Sequence, residues 1–139
     1  MKVRDVCYRD SGFVGIVPLS ASIAKVIKAM AANRETRTVF VVDEKGCLKG
    51  AITIQDIFSA LFDKMKPKIF DFSGKKDLLA RDIMGRVVSV SLNDDLKDAL
   101  RAAATVKMQD LPVCRGGKVV AELDCFELLY GLFPKEKKA

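Results

Sequence analysis

The sequence predicts an α/β (α+β) fold built from two copies of one strand-helix-strand-strand-helix unit, packed with pseudo-twofold symmetry. Three observations predict it. Four blocks of the first half recur in the second, at spacings that drift only from about 77 to about 71 residues. The recurring blocks keep their character, with helical apolar spacing in some and short β-branched runs in others. Half of the 139 residues are apolar, enough for a core without disulfide or metal staples.

The elements follow in chain order. Val3-Arg4-Asp5-Val6 opens the first copy and Ala80-Arg81-Asp82-Ile83 the second. Leu19 to Ile23 and Leu92 to Leu96 then lead into helices whose apolar residues fall at i, i+3, i+4 and i+7. These are Ile23, Val26, Ile27 and Met30 in one copy, and Leu96, Ala99, Leu100 and Ala103 in the other. Each helix is expected to bury one face. Val39-Phe40-Val41-Val42 and Leu111-Pro112-Val113-Cys114 read as buried strands ahead of glycine-containing turns. From Gly46 to Phe62 the first copy aligns without gaps on Gly117 to Phe133, giving a further strand and a closing helix. The closing helices share an apolar face, Ile54, Ile57, Phe58 and Leu61 against Cys125, Leu128, Leu129 and Leu132. The division is 1–62 for the first motif, 63–79 for a connector whose aromatics dock on the body, 80–133 for the second motif and 134–139 for a basic tail. A copy of roughly 60 residues covers its sheet poorly alone, so the two are expected to pack together.

Composition narrows the function classes. The chain has no histidine, which removes the commonest general base and every Ser-His or Cys-His nucleophile pair, so an enzyme is not expected. Cys7, Cys47, Cys114 and Cys125 form no C-x-x-C pair and read as buried free thiols, with no metal site. The net charge of +6 suits an anionic ligand or a polynucleotide. Much of the excess, however, lies in Lys64 to Lys68 and in Lys135 to Lys138, and no aromatic-interleaved basic run supports base stacking. No run approaches the roughly 18 apolar residues of a membrane span, and the N-terminus lacks signal-peptide character, so a cytoplasmic protein is expected.

The residues also carry a family resemblance. Val39 to Gly46, Leu48-Lys49-Gly50-Ala51-Ile52-Thr53-Ile54-Gln55-Asp56-Ile57, Ala80-Arg81-Asp82-Ile83-Met84 and Leu111-Pro112-Val113 together resemble tandem CBS motifs, the Bateman module, over nearly the whole chain. The first copy departs from the family by lacking Met after its opening segment and by having Phe40 where Pro is common; the second has lost much of its closing pattern. The resemblance implies a regulatory module that binds AMP, ADP, ATP or S-adenosylmethionine between its motifs, needs no other cofactor, and modulates a partner protein. It also implies a homodimer formed through exposed helices, with which the apolar faces Ile23 to Met30 and Ile57 to Leu61 are compatible.

One motif carries chemistry. Thr53-x-x-Asp56 sits where a strand passes into a helix, so the free N–H groups of the helix start make an anion site. By resemblance Thr53 contacts a phosphate oxygen and Asp56 accepts from ribose hydroxyls, while Gly50 leaves room for backbone approach. Ile16, Val17, Thr38 and Val39 would line the adenine, Arg37 could neutralise phosphate, and Gly12 and Gly15 mark a flexible entry. The same Thr-x-x-Asp pattern is also a capping box that needs no ligand. In the second copy the aligned residues are Asp124 and Glu127, with Glu122 nearby; these carboxylates keep the capping role and oppose phosphate. One nucleotide site per chain is expected. The alternatives are a ligand-free structural dimerisation module and a nucleic-acid binder.

Overall fold

The computed structural model describes residues 1–7, 14–32, 37–62, 65, 68 and 72–133. Gly12, Phe13, the connector residues Ile69 and Phe70, most of the Lys64 to Lys68 stretch and the basic tail lie outside the described residues. Two compact units divide the chain, one from Gly15 to Arg86 and the other made of Met1–Val14 with Val87–Ala139. Each opening segment is thus grouped with the body of the other repeat.

In the Gly15–Arg86 unit, β1 (Ile16–Pro18), α1 (Ile23–Ala32), β2 (Thr38–Val42), β3 (Leu48–Thr53) and α2 (Ile54–Leu61) follow in order, with the single-turn α3 (Ala80–Ile83) arriving later. The sheet order is β1-β2-β3, with β1 parallel and β3 antiparallel to β2. The β2–β3 turn is specified locally. Asp43 Oδ1 accepts from the Lys45 and Cys47 amides, each at 2.9 Å, and Gly46 takes φ 82, which a side chain would disfavour. Ser22 Oγ accepts from the Lys25 amide at the start of α1. Val17, Val26, Met30, Val39, Val41, Ile52, Ile57 and Ala80 form the core on one face of the sheet.

The other unit repeats this plan with one loss. It holds a 3-10 turn (Val3–Asp5), α4 (Leu96–Val106), β4 (Leu111–Arg115), β5 (Lys118–Leu123) and α5 (Cys125–Leu132). β4 pairs antiparallel with β5, and the register slips between Val113 and Cys114 as it does between the equivalent Val41 and Val42. The expected first strand is only a parallel bridge from Val90 to Val113. Phe40 explains part of the difference, because its N–H donates to the Gly15 carbonyl at 2.9 Å and extends the β1–β2 ladder. The equivalent Pro112 has no N–H to give.

Burial corrects the helix faces. Ile23, Val26, Met30, Leu96 and Ala99 are buried, but Ile27 and Leu100 are 43% and 42% exposed. In the closing helices Ile57 and Leu128 are buried while Phe58 and Leu129 face out. The buried stripe is therefore narrower than the apolar stripe, at the same positions in both copies. All four cysteines are free and half-buried rather than buried, since they sit at strand edges, turns and a helix start. In the connector, Phe72 is 47% exposed beside a 3-10 turn (Ser73–Asp77), so it is only partly sheltered.

Gly50 is the most closely approached glycine of the Gly15–Arg86 unit: a Cβ there would lie 2.6 Å from Met84 Sδ and 3.0 Å from the Gly85 carbonyl. Gly50→Ala should cost roughly 1–3 kcal/mol by overpacking. Chemical denaturation should show that penalty shrinking in a Met84→Ala background; an equal penalty in both would place the strain elsewhere.

Candidate functional site

The end of β3 and the start of α2 form a closed capping box. The Asp56 amide donates to Thr53 Oγ1 at 3.2 Å, and the Thr53 amide donates to Asp56 Oδ2 at 2.8 Å. The Thr53 hydroxyl lies 3.0 Å from the same Oδ2 and donates to it. Both side chains are partly exposed. Asp56 Oδ1 has no partner among the described residues, and it is the oxygen left to accept from a ligand hydroxyl. Thr53 keeps one lone pair, and would have to turn its proton away from Asp56 to donate to a phosphate oxygen.

Strand register decides which predicted residues stand with this pair. Thr38 lies directly opposite Thr53 on β2, and Ile16 lies beside Phe40 on β1. Because side chains alternate, Ile16, Thr38, Phe40, Ala51 and Thr53 share one face of the sheet. Thr38 and Phe40 are buried on that face, and Ile16 is 36% exposed. Val17, Val39 and Gly50 point to the opposite face, where the two valines belong to the core and Met84 fills the space beside Gly50. Arg37, exposed, immediately precedes β2 at the Thr53 end. The structure therefore groups Thr53, Asp56, Thr38 and Ile16, and sets Val17, Val39 and Gly50 apart. Ala51 was not singled out from the sequence; counting back two residues from Thr53 would have found it.

The second copy keeps the cap and changes its charge. Asp124 Oδ1 accepts from the Phe126 and Glu127 amides, both at 2.8 Å, and Glu127 Oε1 accepts from the Asp124 amide at 3.0 Å. Glu122, on β5, is fully buried. The helix start of α5 is already neutralised by the chain's own carboxylates.

Comparison with known proteins agrees with this architecture. Residues 3–63 match the family model for the CBS domain. No curated protein matches. Among solved structures, a CBS domain-containing protein from Thermotoga maritima is 27% identical, with 99% of this chain and 98% of that one covered at a TM-score of 0.78. A CBS domain-containing protein of unknown function from Bacillus anthracis str. Ames Ancestor is 18% identical over 97% and 94% of the chains, at a TM-score of 0.79. CBSX2 in complex with AMP is 20% identical over 95% and 96%, at a TM-score of 0.73. Residues 3–63 thus carry a CBS domain, and nearly the whole chain is similar in fold to these CBS-domain structures. Among the described residues no helix is long and apolar enough to cross a membrane.

Thr53→Ala removes the acceptor for the Asp56 amide and should lower stability by about 1 kcal/mol, with Thr53→Ser recovering most of it. Paired urea melts test this; equal losses in both variants would mean that the Thr53 methyl, and not its hydroxyl, supports the helix start.

Proposed function

We propose that this chain is a regulatory, non-catalytic CBS pair that binds an adenosyl ligand, AMP, ADP, ATP or S-adenosylmethionine, at the Thr53–Asp56 end of the Gly15–Arg86 unit. The observation that carries the reading is the juxtaposition of Thr53, Thr38 and Ile16 on one sheet face with the unpartnered Asp56 Oδ1 beside them. A ribose diol can give Oδ1 its missing donor, and a phosphate can use the α2 amides and Arg37. The likeness in fold to CBSX2, which holds AMP, supports the same ligand class. The carboxylates at the start of α5 oppose a second nucleotide phosphate at that helix start, so one adenosyl site per chain follows. The protein acts in the cytoplasm by altering a partner protein with its occupancy, as a ligand does when it prefers one arrangement of its host.

Isothermal titration with AMP, ADP, ATP and S-adenosylmethionine tests this directly. At least one should bind, and Asp56→Asn should weaken it by about tenfold or more, since an amide presents a donor where the ribose needs an acceptor. The closed cap favours a second reading, a ligand-free dimerisation module, because Thr53 and Asp56 satisfy each other without a ligand. Absence of binding by every adenosyl compound, with the protein folded, would select that reading.

The exposed apolar pairs Ile27 and Leu100, Phe58 and Leu129, and Phe62 and Phe133 recur in both copies, and we assign them to a homodimer contact. Light scattering should give a dimer mass for the native chain and a monomer mass for Phe58→Glu combined with Leu129→Glu. A dimer that survives both changes would place the interface elsewhere.

A further inference from the structure

A separate cleft lies in the other unit, at the opposite end of its sheet from the α5 cap. A cleft of about 340 Å³ opens there between Arg4, Ser91, Leu92, Asn93, Cys114 and Arg115. With about 3.4 Å per strand residue, the Arg115 end of β4 stands roughly 13 Å from the Leu111 end that adjoins the cap. The volume lies at the lower end of the range that small-molecule sites occupy, about 300–1,000 Å³.

At this cleft one backbone bond of the first copy has no counterpart. In the Gly15–Arg86 unit the Leu19 amide donates to the Val42 carbonyl at 3.1 Å and closes the gap between the loop after β1 and the end of β2. The equivalent pair is Leu92 and Cys114, and among the described residues the Leu92 amide has no acceptor. The opening segments are seated alike: the Arg81 amide donates to the Leu19 carbonyl and the Arg4 amide to the Leu92 carbonyl, each at 3.0 Å. An arginine is thus held over the loop by its main chain in both units. Only one unit brings a second arginine to the cleft, because the position of Arg115 is Asp43 in the first copy. Asp43 is committed to its turn, and the hydrogen bond from the Cys47 amide, its largest influence, holds its carboxyl below the ordinary range.

The walls of the cleft carry two cations and no carboxylate. Among the described residues neither Arg4 nor Arg115 is ion-paired, whereas Arg101 and Lys49 are paired with Asp98 and Asp43. Burial pushes the Cys114 thiol up, so it remains a neutral group at the cleft wall. Two exposed arginines, an unused amide and the neighbouring Ser91 and Asn93 supply donors that suit a tetrahedral dianion carried on a small polar body. We propose that this cleft is a binding site for a small organic phosphate, separate from the adenosyl site and independent of it.

Amide NMR titration of the full chain with ribose 5-phosphate tests the assignment, with inorganic phosphate and pyrophosphate as parallel probes. Saturable shifts are expected at residues 91–93 and 114–115. They should weaken about tenfold in Arg115→Asp, the charge of the first copy, and in Arg4→Ala, which keeps the main-chain clasp. Asp56→Asn should leave them unchanged, which separates this site from the adenosyl reading. Both arginines are exposed, and unaltered melting curves would show the variants folded. No saturation below about 10 mM, undiminished binding in Arg115→Asp, or shifts produced by the inorganic ions alone would each overturn the proposal.

Discussion

A main-chain clasp made twice organises this molecule. The Ala80 amide donates to the Ala21 carbonyl at 2.7 Å and Arg81 to Leu19; Val3 donates to Asp94 at 2.9 Å and Arg4 to Leu92. Each such bond contributes only about 1 kcal/mol net, but each docks a short opening segment that could not hold a helix by itself. The clasp draws the fully buried Ala80 and Val3 into their units. It also brings Met84 over Gly50 and pairs Gly85 with Ala51 in both directions, at 2.8 and 3.2 Å. β3 is thereby held on both edges at Ala51, two residues before Thr53, and the capping box starts from a well-anchored strand end.

On that duplicated frame the two copies differ mainly in charge. The helix after the third strand begins with Thr53 and Asp56 in one copy and with Asp124 and Glu127 in the other, and both caps close. Stability needs only an oxygen in the right place, so the cap tolerates either chemistry. Recognition does not, because a carboxylate and a hydroxyl offer opposite prospects to an incoming phosphate. The turn after the second strand shows the same division of labour. Asp43 locks a local turn through two amides, while Arg115 stands at a turn that Gly116 and Gly117 make possible with φ 59 and 81.

The helices show how far pattern can go. Periodicity places Ile27 with Ile23, Val26 and Met30, and Leu100 with Leu96 and Ala99, since all lie within one broad apolar stripe. The width of the stripe that is actually covered depends on what packs against it, and Ile27 and Leu100 fall just outside. The parallel first strand of the second copy is a similar case. Val88 and Val90 have strand character, but a ladder needs donors on the neighbouring strand, and Pro112 withholds one.

The sequence by itself determined the duplication, the order of elements apart from the first strand of the second copy, the caps at Thr53 and Asp124, and the charge difference between them. All of these depend on contacts within a few residues, or on self-similarity that the chain displays directly. Only the tertiary structure decided which sheet face each predicted ligand residue occupies, separating Thr38 and Thr53 from Val17, Val39 and Gly50. It alone also brought Arg4 and Arg115 to one cleft, and brought Met84 onto Gly50. Register and the docking of distant segments arise from pairings between residues far apart in the chain, whose free energies no local window contains.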